Sequence, residues 1–169
     1  LPLILADPTK VRQIAMNLIT NASDSLGDTV GTITICTGWR ECDRTYLSET
    51  FFEDDLPAGR YAYFSVSDTG CGMDEQTRSR IFDPFFSTKF TGRGLGLAAV
   101  AGIVRAHRGA LRLSSKPGTG TTFEVLFPVA KDSGPVAKAN ETEHSSLFDG
   151  QTVLLVDDEA VALATTADL

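Results

Sequence analysis

The chain has 169 residues, with 15 Lys and Arg against 22 Asp and Glu, a formal net charge of −7. That balance argues against a general nucleic-acid binder, which needs a basic face. No apolar run approaches the roughly 20 residues a membrane span needs, since the strongest, Leu95 to Val104, is shorter and holds two glycines.

Asp7-Pro8 predicts a helix start, with Asp as N-cap and Pro at the first helical position. Val11, Ile14, Ala15, Leu18, Ala22 and Ser25 then recur at three- and four-residue steps, which predicts one buried stripe, and Gly27 ends it. Thr32–Thr37 alternates and is β-branched, so it predicts a strand. Residues 38–59 are mixed and acidic and predict a hairpin excursion. Tyr61–Ser67 predicts a second strand, stopping at Asp68-Thr69-Gly70. A short helix is expected from Asp74 to Ile81, an irregular loop over 83–94, and an apolar helix from Leu95 to His107. Leu111–Ser115 and Thr121–Phe127 predict strands joined by the turn sequence Lys116-Pro117-Gly118-Thr119-Gly120. Helices interleaved with hairpin-type strands predict an α+β two-layer sandwich, a sheet covered on one face by helices.

The charge is unevenly placed. Residues 1–130 hold 13 basic and 14 acidic side chains, and residues 131–169 hold 2 and 8. Between 131 and 150 the composition turns polar with few large apolar residues, as in a linker. Thr152-Val153-Leu154-Leu155-Val156 then predicts a buried strand. The expected organisation is one domain over 1–130, a linker over 131–150, and the opening of a second domain over 151–169. The chain starts with Leu rather than Met and shows no signal peptide, so a piece of a longer chain is expected. Cys36, Cys42 and Cys71 form no C-x-x-C pair, which predicts a reducing, cytoplasmic setting rather than disulfides or a zinc knuckle.

Four constellations carry chemistry. Gln13, Asn17, Asn21 and Asp24 share one helix face and offer amide oxygens to a hard cation and amide donors to phosphate. A solvated face explains the same stripe. Asp68-Thr69-Gly70-Cys71-Gly72-Met73 ends a strand; its carboxylate is acceptor-only and suits an exocyclic amino group, while the glycines let backbone approach a flat ring. An ordinary Asx turn is the plain alternative. Gly92-Arg93-Gly94-Leu95-Gly96 enters the apolar helix, where free backbone N–H groups attract phosphate, with Lys89 and Arg93 adding positive charge. No P-loop and no dinucleotide fingerprint is present. Asp157-Asp158-Glu159 at a strand end can gather a divalent cation, or simply favour a helix N-terminus.

The order of these motifs is more specific than any one of them. Asn17-Leu-Ile-Thr-Asn21-Ala, Asp68-Thr-Gly-Cys-Gly72-Met, Phe82-Asp-Pro-Phe-Phe86-Ser-Thr-Lys89, Gly92-Arg-Gly94-Leu-Gly96-Leu and Gly118-Thr-Gly-Thr121-Thr-Phe follow in turn. Residues 1–130 thereby resemble the ATP-binding catalytic domain of sensor histidine kinases, within the GHKL ATPases. That resemblance implies the Bergerat fold, a two-layer α/β sandwich with a mixed, mostly antiparallel sheet. It implies Mg²⁺ bridging ATP phosphates through Asn21, phosphate contact by Asn17, and adenine recognition by Asp68 with help from Thr121. Gly70, Gly72 and Met73 would line the base; Gly92, Gly94, Leu95, Gly96 and Leu97 would form the hinge and phosphate cradle. A lid from about Asp83 to Arg93 would be anchored by Phe82, Phe85 and Phe86, with Lys89 and Arg93 on phosphate. Asn17 stands where hydrolytic relatives carry a water-activating glutamate, which implies phosphoryl transfer to a protein. Asp24 stands where many kinases carry Lys, which leaves one phosphate contact unassigned.

The segment Val153 to Asp158 is similar to the first strand of a response-regulator receiver, whose paired acids, here Asp157 and Asp158, hold Mg²⁺. The whole chain therefore resembles a slice of a hybrid histidine kinase. The implied partners are an upstream dimerisation domain carrying the acceptor histidine, absent here, and a receiver domain of the same or a partner protein. No nucleic acid and no membrane contact is expected of this segment, and any membrane attachment of the parent protein is left to another segment. Neither His107, expected in a structural role, nor His144 fits as acceptor, so ATP·Mg²⁺ binding without autophosphorylation is expected. The alternatives are a non-catalytic nucleotide-binding docking module and a GHKL-type ATPase.

Overall fold

The computed structural model describes residues 1–52, 56–88 and 94–130. The chain divides into two units, Leu1–Ser133 and Gly134–Leu169, and all described residues lie in the first. The expectations for Lys89, Gly92, Arg93, the linker, His144, and the segment 151–169 with Asp157 and Asp158 lie outside the described residues.

Helix α1 (Pro8–Leu26) begins and ends on local chemistry. Asp7 accepts from the Thr9 and Lys10 N–H groups, Pro8 needs no partner for a missing N–H, and Gly27 closes the helix at φ 55°. The predicted periodicity holds, with Ile14, Leu18 and Ala22 buried. The remaining elements are β1 (Ile33–Cys42), α2 (Arg44–Ser48), β2 (Gly59–Asp68), α3 (Glu75–Arg78), α4 (Gly96–Ala106), β3 (Ala110–Lys116) and β4 (Gly120–Pro128). The sheet runs β1-β2-β4-β3, so the last hairpin inserts β4 beside β2. All its pairings among the described residues are antiparallel, in keeping with the mostly antiparallel sheet expected. The architecture is the α+β sandwich the sequence predicts.

Two elements differ from expectation. The region expected to form a hairpin excursion over 38–59 instead continues β1 to Cys42, because Gly38 through Cys42 pair in register with Tyr63 back to Gly59. It then forms α2, whose N-cap Asp43 accepts from the Tyr46 N–H at 2.7 Å. The helix expected over 74–81 is only four residues long. Its cap, Asp74, accepts from Thr77, and that hydrogen bonding holds the Asp74 carboxyl below its ordinary value.

Strand alternation makes one core. Val66, Phe123, Val125, Phe127 and Leu111 face Ile14, Leu18, Val100 and Val104 of α1 and α4. Burying such side chains stabilises by about 1.5–3 kcal/mol each. On the opposite face a smaller cluster gathers Cys42, Leu47, Tyr61, Ala110 and Leu126. Burial pushes the Cys42 thiol up, whereas Cys36 and Cys71 are exposed.

His107 ties the two helices. The Asp7 N–H donates to its Nε2 at 3.2 Å, and its Nδ1 lies 2.8 Å from the Ile103 carbonyl. Because Asp7 supplies a donor, Nε2 is the acceptor and Nδ1 carries the proton. This contact is the structural role expected of His107.

Candidate functional site

The β2 register carries Ala62, Phe64, Val66 and Asp68 along the helix-covered face, so the strand's last residue places a carboxylate at the edge of the core. Asp68 is 6% exposed, and its partner across the ladder, Thr121, is 3% exposed. The Ser25 hydroxyl donates to Asp68 Oδ1 at 2.7 Å, and the Gly70 N–H donates to the same oxygen at 2.8 Å. No donor among the described residues reaches Oδ2. A nearly buried carboxylate with one oxygen satisfied twice and the other open is set to accept from outside.

The loop after Asp68 is clamped on both sides. The Cys71 N–H donates to the Ser25 carbonyl at 3.0 Å, and the Gly118 N–H donates to the Cys71 carbonyl at 2.7 Å. The Met73 N–H donates to Ser115 Oγ at 2.8 Å, and that oxygen lies 2.9 Å from Thr121 Oγ1. Glycine is required twice here. A Cβ on Gly70 would strike Ser25, 2.5 Å from its carbonyl oxygen. Gly72 sits at φ +65°, and a Cβ there would collide with the Lys116 carbonyl. The second and last motifs thus meet through backbone contact that no side chain could share.

At the other end of the site, the Asn17 Nδ2 group donates to the Gly96 carbonyl at 3.3 Å, bringing α1 against the first residue of α4. Leu95, at the N-cap position of α4, supplies no side-chain hydrogen bond to the first-turn N–H groups. Asn21 is half-buried one turn beyond Asn17, toward Ser25. Gln13 and Asp24 are exposed, so the predicted polar stripe divides into a half-buried part, Asn17 and Asn21, and an exposed part. Leu97 packs against the core and Leu95 is exposed. The Gly94 carbonyl accepts from the Phe85 N–H at 3.0 Å. Of the aromatics expected to anchor a lid, Phe82 packs on Phe51 and Phe123, and Phe86 is partly buried against the core. Phe85 is 78% exposed at φ 69° and anchors nothing in the core.

No group of three His, Cys, Asp or Glu side chains able to hold a metal occurs among the described residues. The amide oxygen of Asn21 suits a hard cation that brings most of its oxygens with it, as Mg²⁺ does on phosphates. The donor set fits a nucleotide-borne cation and not a self-contained metal centre.

Two site residues lie beyond the predicted set. Ser25 falls on the apolar stripe by spacing, yet its hydroxyl serves Asp68. Ser115 links Met73 to Thr121 and shares a sheet face with Leu111 and Leu113, so strand alternation from Leu111 was the available signal. A hydroxyl at the end of an otherwise apolar stripe was the signal for Ser25.

Residues 6–131 match the family model described as histidine kinase-, DNA gyrase B-, and HSP90-like ATPase. The sensor kinase CckA of Brucella abortus is 36% identical over 165 residues, 92% of this chain and 17% of CckA. The sensory histidine kinase/phosphatase NtrB of Rhizobium leguminosarum is 37% identical over 134 residues, 79% of this chain and 34% of NtrB. The chain thus spans 17% and 34% of the length of these two relatives. Among solved structures, full-length ShkA in complex with AMPPNP superposes with a TM-score of 0.59 at 32% identity, covering 80% of this chain and 25% of ShkA. The nucleotide-free catalytic domain of the histidine kinase ThkA does so with 0.55 at 28%, covering 75% of this chain and 70% of that domain.

Proposed function

The chain belongs to the histidine kinase-, DNA gyrase B- and HSP90-like ATPase family, and on that footing we propose that residues 1–130 are the ATP-binding catalytic domain of a two-component hybrid sensor histidine kinase. The observation that carries the reading is the half-satisfied carboxylate of Asp68, open at Oδ2 beside Thr121. Oδ2 accepts the 6-amino group of adenine, with Thr121 assisting and Gly70, Gly72 and Met73 lining the base. From Ser25 back to Asn17, α1 runs eight residues, about 12 Å, a span that suits a nucleoside with its phosphate chain. Asn17 and the start of α4 stand at the far end of that span, with Asn21 midway along it; Gly92, Gly94, Leu95, Gly96 and Leu97 would cradle phosphate at the helix N-terminus. Lys89 and Arg93 add charge on the phosphates.

Asn21 would hold Mg²⁺ together with the phosphates, and the ion would supply charge neutralisation at the transferred group. The domain itself contributes positioning. A histidine nitrogen on the dimerisation domain attacks the γ-phosphorus, the P–N bond forms, and the P–O bond to ADP breaks. Asn17 presents an amide beside the phosphates, and an amide cannot take a proton from water. That favours transfer to a protein over hydrolysis.

Residues 131–150 are assigned as a linker and 151–169 as the start of a receiver domain with Asp157 and Asp158 as its acidic pair. The alignment with CckA supports continuity beyond residue 130, because it covers 92% of the chain. The test is to add a dimerisation domain of the NtrB type in trans with radiolabelled ATP. Acid-labile, base-stable phosphohistidine on the added domain is the expected product. Nucleotide binding with no transfer would replace the kinase reading by a docking module, and steady phosphate release without any acceptor would replace it by an ATPase.

A further inference from the structure

We propose that Ser25 is a positioning residue of the purine pocket, whose hydroxyl fixes the plane in which the Asp68 carboxylate faces the base and thereby sharpens the preference for a 6-amino over a 6-oxo purine. The inference rests on the nucleotide-pocket reading above. Ser25 lies on the last turn of α1, and its single hydroxyl proton has two acceptors in reach, the Ala22 carbonyl at 2.8 Å and Asp68 Oδ1 at 2.7 Å. The bond to the carboxylate is charge-assisted and about twice as strong as a neutral one, so it takes the proton. The Gly70 N–H supplies the second donor to the same oxygen.

Those two donors come from different elements, a helix and a loop. One alone leaves the carboxylate free to pivot, because its terminal torsion is broad. Together they fix its plane and hold Oδ1 out of the pocket's chemistry. Oδ2 then meets the base edge in one orientation, as an acceptor only. Adenine offers a donor there, whereas a 6-oxo purine sets oxygen against oxygen. A Ser25 variant keeps the carboxylate but loses the clamp, so the penalty falls on the ligand that uses the fixed geometry.

The test titrates ADP and inosine diphosphate into the full chain and into Ser25→Ala and Ser25→Cys, the second keeping volume while losing the strong donor. ADP affinity is expected to fall about three- to tenfold in both variants, with inosine diphosphate unchanged within about twofold. The ADP preference therefore falls by the same factor as the ADP affinity. In an Asp68→Asn background, Ser25→Ala is expected to cost no further ADP affinity, since the acceptor whose orientation it fixes is already replaced there by an amino group. A parallel loss of both nucleotides, as a merely structural hydroxyl would give, overturns the assignment, as does unchanged ADP binding. Wild-type protein that binds neither nucleotide overturns the pocket itself, an outcome distinct from a failure of Ser25 alone.

Discussion

Asp68→Asn is expected to weaken ADP binding by about 10- to 100-fold, the equivalent of losing roughly 1.5–3 kcal/mol from a hydrogen bond to a charged group. The size follows from how the side chain is held. Ser25 and Gly70 both donate to Oδ1. An asparagine has one acceptor oxygen and one amino group, and those two donors draw the oxygen to the Oδ1 position. The amino group then occupies the place of Oδ2 and faces the adenine amino group, donor against donor. The fold is largely spared, because the interior bonds survive. Calorimetric titration of the variant checks this, alongside its thermal melt. An ADP affinity equal to wild type in a folded variant would remove Asp68 from the binding site.

The largest stability effect is expected at Leu18→Ala. Leu18 is fully buried between α1 and the sheet, in the cluster with Val66, Val100 and Phe123. Truncating such a leucine costs about 2–5 kcal/mol through lost burial and the cavity left behind, out of a total domain stability of about 5–15 kcal/mol. Because α1 carries Asn17, Asn21 and Ser25, nucleotide binding is expected to collapse at the temperature where the variant melts. Met16, two residues away and 62% exposed, is the control. Met16→Ala is expected to stay within about 0.5 kcal/mol of the wild type. Chemical denaturation of the two variants measures the contrast, and equal midpoints would show that α1 does not pack on the sheet through Leu18.

Elements with a local signal were legible in the sequence. Asp7, Pro8 and Gly27 bracket α1 by capping chemistry that needs no tertiary context. The turn Lys116–Gly120 fixed the last hairpin in the same way. What escaped depends on partners distant in sequence. The far half of β1 does not read as a continuation of the strand because Gly38, Arg40 and Glu41 break alternation of apolar residues, yet Tyr61, Arg60 and Gly59 pair with it. Helix α2 has five residues, too few for a periodic signal. The site was legible as motifs in order, but not as geometry. Spacing alone put Ser25 on the buried stripe, and only the approach of β2 to the end of α1 turns its hydroxyl into a partner of Asp68.

One titration tests the central claim most directly: ADP with Mg²⁺ into the folded wild-type chain, followed by calorimetry, with GDP as the comparison. The account predicts saturable one-to-one binding of ADP below millimolar concentration, and weaker binding of GDP, whose 6-oxo group opposes the open oxygen of Asp68. Absence of heat and of saturation at millimolar ADP, from protein with a cooperative melt, would contradict it.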